Sequence, residues 1–284
     1  MLTHDHAPGL SSIYRQRINR HQDAQLEQDY VAIEEPLQIS LQWYDLASSE
    51  PMRREWSMTM RTPGDDVALI QGLILTQQVV NSLDDVMLIE PFDPEGRHAA
   101  NHLVVTLKEG VSPDWQQLQR SYMSQSSCGI CGMTSMRSLC LKHPIKLDEQ
   151  AGWLGGDDVL AMPEQLRQMQ PLFAKTGAVH GAGYWHDRQL PVLAEDVGRH
   201  NAVDKLIGHI YQQTLWQAQC VLVLSGRVSF ELVQKAMLAA IPVIVAVGAP
   251  SSLAIDMAKQ FNMTLIGFTK RNQFNVYHGH WRLR

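Results

Sequence analysis

Two cysteines stand three positions apart in the segment Cys128-Gly129-Ile130-Cys131. Thiols at this spacing can share a metal ion, exchange a disulfide, or hold and resolve a persulfide. The surrounding residues are polar, without a consistent helical or strand period, which predicts an exposed mobile loop at residues 122–140. Because a loop flanked by glycine leaves a thiolate accessible to two successive partners, the pattern favours a persulfide shuttle.

A zinc site is the main alternative chemistry for these cysteines. Cys128, Cys131, Cys140 and His143 form the pattern C-x2-C-x8-C-x2-H, a four-ligand set. Its middle spacing is shorter than in common zinc fingers, and Cys140 lies between two leucines, where a buried thiol is the ordinary explanation. Thioredoxin-like exchange ranks third, because no strand leads into the pair. Zinc deaminase chemistry is unsupported, since none of the twelve histidines has Glu two residues later.

A second group of candidate residues occupies three loops that each follow a predicted strand. Small or hydroxylated residues at helix starts leave backbone N–H groups facing an anion, and the loops also carry cations, so together they predict a phosphate or pyrophosphate site. For any single loop, turn residues with a solvated basic rim are the more ordinary explanation. The loops are Ser225-Gly226-Arg227, Gly248-Ala249-Pro250-Ser251-Ser252 and Thr269-Lys270-Arg271-Asn272-Gln273.

Polar residues are also dense between Glu195 and Asn201, at a predicted junction of strand and helix. Glu195 or Asp196 could accept hydrogen bonds from a guanine edge, while Arg199 or His200 meets phosphate. A solvated helix cap explains the same residues about equally well. For His180, a satisfied histidine in a core strand is the favoured interpretation.

The elements that must position these loops form a β-α-β-α-β pattern. Strands are predicted at 220–224, 242–247 and 263–268, with helices beginning at Ser229 and at Ser251 or Ser252. Right-handed crossovers would put the loops after all three strands at one edge of a parallel sheet. A helix after His200 buries residues 203, 206, 207 and 210, and Asn201 with Asp204 is expected to cap its start.

The N-terminal part is less regular. Residues 1–30 are polar and predict a flexible arm, followed by a strand at 33–41, a turn at 62–65 that leads into an apolar helix through residue 75, and a strand at 102–107. We therefore expect a smaller mixed domain with β-strands at 31–121, the cysteine loop at 122–140 and an α/β cofactor-binding domain at 141–284.

Composition narrows the class of protein. The chain has 284 residues, 45% of them hydrophobic, with a net charge of -5, so it can bury a large core but has no basic excess that would indicate nucleic-acid binding. No apolar stretch approaches the roughly 20 residues that span a bilayer, and the N-terminus does not resemble a signal peptide. Four cysteines are too few for a disulfide scaffold. These features predict a soluble cytoplasmic protein.

Several separated blocks resemble the FdhD family, the formate dehydrogenase accessory sulfurtransferases, from about residue 34 to residue 277. The blocks are Glu34-Glu35-Pro36-Leu37, Thr62-Pro63-Gly64-Asp65-Asp66, Ser127-Cys128-Gly129-Ile130-Cys131-Gly132, Thr176-Gly177 with His180, 195–205, Ser225-Gly226-Arg227 with Ser229-Phe230-Glu231, and Ala249-Pro250-Ser251-Ser252.

The resemblance implies a cytidine-deaminase-like three-layer α/β domain without zinc chemistry. It implies that Cys128 accepts persulfide sulfur from a cysteine desulfurase, with Cys131 assisting, and that the sulfur passes to the molybdenum cofactor before insertion into the catalytic subunit of formate dehydrogenase. Residues Phe268, Thr269, Lys270, Arg271, Asn272 and Gln273 match the stretch that binds this bis-molybdopterin guanine dinucleotide.

Guanine nucleotides should therefore bind as cofactor fragments, and no permanent metal is expected. The oligomeric state is left open, a homodimer being one expectation. The competing hypothesis is a non-catalytic, cofactor-binding chaperone whose loop is stabilised by zinc.

Overall fold

The computed structural model describes residues 9–20, 24–45, 50–92, 101–113, 115, 118 and 147–284. Cys128, Cys131, Cys140 and His143 lie outside these residues, as does the loop predicted at 122–140. The predicted domain boundaries therefore stay predictions. None of the described helices is long and apolar enough to cross a membrane.

The first described segment is an antiparallel pair of strands, β1 (Leu10–Arg17) and β2 (Gln25–Ala32). This corrects the expectation that the whole of 1–30 is a flexible arm. Leu10 is buried, and the backbone N–H of Ile33 donates to the carbonyl of Gly9 at 2.9 Å. The sequence concealed the strands because most of their side chains are polar and exposed, so no apolar alternation marks them.

A four-stranded sheet follows, in the order β4-β3-β6-β5. β3 is parallel to β6, and the other neighbours are antiparallel. Leu37, Ile39 and Leu41 of β3 are fully buried and pack with helix α1. The strands predicted at 33–41 and 102–107 and the helix predicted through residue 75 are confirmed. The elements are β3 (Glu35–Asp45), β4 (Glu50–Arg61), α1 (Asp66–Thr76), β5 (Val86–Pro91) and β6 (His102–Leu107).

The larger sheet has six strands in the order β12-β11-β10-β9-β7-β8. β9, β10 and β11 are parallel, which confirms the predicted β-α-β-α-β pattern. The elements are α2 (Gly156–Gln168), α3 (Pro171–Thr176), β7 (His180–His186), β8 (Gln189–Asp196), α4 (Arg199–Gln212), β9 (Val221–Leu224), α5 (Phe230–Leu238), β10 (Val243–Ala246), α6 (Ser252–Gln260), β11 (Thr264–Lys270) and β12 (Gln273–His278).

Helices cover both faces of this sheet. α4, α5 and α6 form one apolar core against it, and α2 contributes to another core on the opposite face. Because both faces are buried, β9 and β10 are uninterrupted apolar strands. The chain therefore contains a three-layer α/β unit, while its predicted likeness to cytidine deaminase stays a prediction.

Helix α1 joins the two sheets by lying across α4. A Cβ atom on Gly72 would stand 1.9 Å from the carbonyl oxygen of Asp204, and one on Gly208 would stand 2.0 Å from that of Ala68. The side chain of Asp204 accepts hydrogen bonds from Thr76 Oγ1 and from Lys235 Nζ, each at 2.8 Å. The predicted capping role of Asp204 was thus wrong, because α4 begins at residue 199 and this buried carboxylate links three helices.

Candidate anion site at the carboxyl edge of the parallel strands

The predicted loops at 225–227 and 248–252 lie together after β9 and β10 and contact β11 at Phe268, whereas the loop predicted at 269–273 was wrong in extent, because β11 and β12 join there in a tight antiparallel turn. The backbone N–H of Gly248 donates to the carbonyl of Gly226 at 3.0 Å, and the N–H of Phe268 donates to the carbonyl of Gly248 at 3.1 Å. A Cβ atom on Gly248 would stand 2.8 Å from the backbone nitrogen of Arg227. Gly248 therefore lets the loops after β9 and β10 and the strand β11 approach within hydrogen-bonding distance of one another.

The same edge includes the start of β7. Ser225 Oγ accepts a hydrogen bond from the N–H of Gly181 at 2.8 Å, and the N–H of Ser225 donates to the carbonyl of Gly181 at 3.0 Å. Ser225 is therefore engaged in joining the loop after β9 to β7. This brings His180 beside Gly226, where a Cβ atom would stand 3.2 Å from His180 Nδ1.

Positive groups surround His180. Partial burial lowers the pKa of His180, and the charges of Arg199, His200 and Arg227 lower it further, while Asp196 acts in the opposite direction. Arg199 and His200 come from the start of α4, and Arg227 comes from the loop after β9. Their convergence gives the edge a positive potential that suits an anionic ligand.

His200 is held by residues at the start of α5. Its Nε2 atom lies 3.1 Å from Glu231 Oε2 and 3.3 Å from Ser229 Oγ, and the Ser229 hydroxyl donates to Glu231 at 2.9 Å. The hydrogen bond from His200 is the largest cause that lowers the pKa of Glu231 to about 2, with help from Ser229 and from the charge of Arg199. Glu231 thus fixes the position of His200.

Helices α4 and α5 begin at this edge without a hydrogen bond to the side chain of the N-cap residue. Within the described part of the chain, no side chain accepts a hydrogen bond from the first turn of α4 or of α5. By contrast, Ser251 Oγ caps α6 through the N–H of Ala254 at 3.2 Å. The first turns of α4 and α5 therefore add their dipoles to the positive side chains.

Glu195 faces away from this cluster into a separate contact. Its carboxylate accepts hydrogen bonds from the N–H groups of Leu172 and Phe173 at 2.9 Å, and from Gln170 Nε2 at 3.4 Å. It thereby caps the start of α3. We assign Glu195, which the sequence put among the cofactor contacts, to the support of the site.

Asp196 is also a supporting residue, because it is fully buried and surrounded by donors. It accepts from Lys205 Nζ at 2.8 Å, from the N–H of Gly198 at 2.8 Å, from the N–H of Thr62 at 3.1 Å and from Asn201 Nδ2 at 3.3 Å. These donors occupy its oxygens in place of a guanine edge. The predicted capping role of Asn201 was wrong as well, since this residue connects the inside of α4 to Asp196 and to the end of β4.

The end of β11 contributes an unusual backbone. Phe268 has a positive φ of 52° and is 43% exposed, and the pairing of β11 with β12 is irregular between residues 267 and 270. Thr269 is buried, and its Oγ1 atom has no hydrogen-bond partner among the described residues. A left-handed bulky residue is costly, so its persistence at this edge suggests a functional constraint.

The turn that joins β11 to β12 lies at the surface. Lys270, Arg271, Asn272 and Gln273 are exposed. Arg271 contributes, after hydrogen bonds from Arg167 and Gln168, to the lowered pKa of Glu164 on α2, so it extends toward that helix. The structure therefore brings Arg199, His200 and Arg227 together around His180 and places Arg271 beside another element.

The FdhD/NarQ family model matches residues 32–284. A sulfur carrier protein FdhD of Mycobacterium tuberculosis is 38% identical over 255 residues, covering 87% of this chain and 89% of the relative. One from Thermoplasma acidophilum is 34% identical over 251 residues, covering 88% and 85%. The crystal structure of a candidate formate dehydrogenase accessory protein from Desulfotalea psychrophila matches with a TM-score of 0.71 at 23% identity, covering 98% and 100%. This last likeness supports the fold alone.

Proposed function

This chain belongs to the FdhD/NarQ family, and on that premise we propose that it is a sulfur carrier, acting as a sulfurtransferase, in the maturation of formate dehydrogenase. The names of the relatives support the sulfur-carrying role. The observation that carries the proposal in this chain is the convergence of Arg199, His200 and Arg227 at the edge where the parallel strands end. A site of this charge can hold the nucleotide part of a sulfur acceptor.

The first step loads sulfur on Cys128. Its thiolate attacks the terminal sulfur of a persulfide on a cysteine desulfurase, which leaves Cys128 as the persulfide and the desulfurase cysteine as the thiol. One S–S bond breaks and one forms, so the exchange needs no external oxidant or reductant. Cys131 assists release of the sulfur. Both cysteines lie outside the described residues, and their roles follow from their spacing and from the family resemblance.

The acceptor is the bis-molybdopterin guanine dinucleotide cofactor, bound as a substrate before its insertion into the catalytic subunit. Arg199, His200 and Arg227 would bind its diphosphate by charge-assisted hydrogen bonds. The exposed ring of Phe268 offers a surface on which a guanine can stack. The exposed residues 270–273 complete the stretch that we assign to the nucleotide.

Sulfur loading is tested by intact-mass analysis after incubation with a cysteine desulfurase and cysteine. We expect one added sulfur atom that a thiol reductant removes, and we expect it to disappear in Cys128→Ala but to remain in the matched control Cys140→Ala. Cys140→Ala should also support formate dehydrogenase maturation nearly normally. A loss of maturation as severe as that of Cys128→Ala would instead favour zinc on Cys128, Cys131, Cys140 and His143.

Cofactor binding is tested with guanosine diphosphate. Arg227→Ala should weaken its binding about tenfold or more, since a hydrogen bond to a charged group contributes roughly 1.5–3 kcal/mol. Added salt should weaken the binding to the unaltered chain. Arg188→Ala is the matched control, because Arg188 is exposed at the opposite end of β7. Equal affinities of both variants would refute the assignment of Arg227.

A further inference from the structure

His180 is a half-buried histidine at the positive edge, and no described residue forms a hydrogen bond with it. At the other end of the same strand, His186 Nδ1 lies 2.9 Å from the carbonyl oxygen of Gln219. Neither ring nitrogen of His180 is among the fully buried unpaired atoms of the described residues, so both keep contact with solvent at this edge. The interpretation of His180 as a satisfied core histidine was therefore wrong, and the residue is available to a ligand.

The neighbours of His180 specify the charge of that ligand. His180 pairs with Asp196 across β7 and β8, three residues before Arg199 at the start of α4, and Gly226 beside its ring precedes Arg227 in the loop after β9; the charges of Arg199, His200 and Arg227 all act on His180. The acidic group near it is Asp196 on β8, whose oxygens already accept four hydrogen bonds. Glu231 contacts His200 rather than His180. A group bound here must therefore be an anion with an oxygen that can pair with an imidazole.

We propose that His180 binds the diphosphate of the guanine dinucleotide and takes up a proton when the diphosphate binds. This inference rests on the proposed cofactor site and adds to it a ligand-contacting residue and a pH dependence. Gly226 is part of the arrangement, because any side chain there would crowd the His180 ring. His180, Arg199, His200 and Arg227 would surround the diphosphate from three elements, namely β7, the start of α4 and the loop after β9.

The direction of the pH effect follows from charge. In the free protein, burial and then the nearby positive charges lower the pKa of His180, so its neutral form predominates at neutral pH. A bound diphosphate offsets those charges and raises the pKa. The affinity for the diphosphate should then increase as the pH falls from the pKa that His180 has in the complex to the pKa that it has in the free protein. The increase should be up to about tenfold per pH unit for one proton.

Isothermal titration calorimetry with diguanosine diphosphate tests this proposal on the full chain. The diphosphate of this probe is a diester, so it has no group that titrates between about pH 5.5 and 8, whereas the terminal phosphate of guanosine diphosphate does. Titrations in buffers of different ionisation enthalpy measure the protons taken up on binding. We expect a net uptake of up to one proton by the unaltered chain, and none would overturn the proposal.

Two variants identify the group that takes up the proton. His180→Gln keeps a hydrogen-bonding side chain but cannot titrate, so its affinity should no longer increase as the pH falls. His186→Gln, in the same strand but already partnered, should retain that gain. If His180→Gln retained the full gain, the proposal would fail while the cofactor site would stand. If the unaltered chain did not bind the probe, the cofactor site itself would fall, whereas sulfur loading on Cys128 would still be tested separately by mass analysis.

Discussion

Replacing Asp196 with alanine should destabilise the fold rather than act only on the cofactor site. The carboxylate is 0% exposed and forms an ion pair with Lys205, which is itself 1% exposed, at 2.8 Å. Removing one member of a buried ion pair typically costs about 3–5 kcal/mol, because the other charge is left without compensation. The N–H groups of Thr62 and Gly198 also lose their acceptor. We therefore expect a loss of at least about 3 kcal/mol in the free energy of unfolding.

The assay is equilibrium unfolding in guanidinium chloride, followed by tryptophan fluorescence and by circular dichroism. The matched control is Asp256→Ala, since Asp256 is exposed on α6 and should change stability by no more than about 0.5 kcal/mol. The double variant Asp196→Ala/Lys205→Met should recover part of the loss, because it no longer buries an unpaired charge. A loss for Asp196→Ala as small as that of the control, together with abolished nucleotide binding, would show that Asp196 contacts the ligand.

Other predictions concern packing, acid stability and thiol reactivity. Gly208→Ala should destabilise the chain by about 1–3 kcal/mol in the same unfolding assay, because its Cβ atom would stand 2.0 Å from the carbonyl oxygen of Ala68. The pKa of Glu231 is depressed from 4.5 to about 2, so its stabilisation is complete above about pH 4.5 and is lost as the pH falls toward 2. Glu231→Gln should accordingly make the melting temperature less dependent on pH in that range. If the melting temperature of this variant fell with pH as steeply as that of the unaltered chain, the contact between Glu231 and His200 would be refuted. Iodoacetamide should leave Cys220 unmodified in the native protein, because burial raises the pKa of its thiol to about 12; peptide mapping by mass spectrometry checks this.

The parallel strands and the helices between them could be predicted because the signals for each element lie within a short stretch of sequence. β9 and β10 are short apolar runs, and each is followed by a helix that starts at a serine. Right-handed crossovers then require the following loops to share an edge. The β1–β2 pair could not be found this way, because exposed polar strands leave no periodic signal.

The side chains at the site were harder to predict than the loops that hold them. The sequence placed Glu195, Asp196, Arg199 and His200 at one junction but could not show which of them face outward. Both carboxylates are used inside the fold, Glu195 by the start of α3 and Asp196 by Lys205 and by the distant residue Thr62. His180 was misjudged for the converse reason, since whether a histidine has a partner depends on contacts between distant segments.

The smaller sheet supports the site from outside, since it supplies none of the proposed ligand contacts but holds the segment that does. Thr62, which follows β4, donates its backbone N–H to Asp196 at 3.1 Å, and its carbonyl oxygen accepts from Lys205 at 2.7 Å. The Thr62 hydroxyl accepts from the N–H of Val197 at 3.1 Å. These bonds fix the segment immediately before Arg199, where α4 begins. Because Arg199 and His200 derive their positions from that segment, the end of β4 and the crossing of α1 over α4 determine where the positive edge can hold a diphosphate.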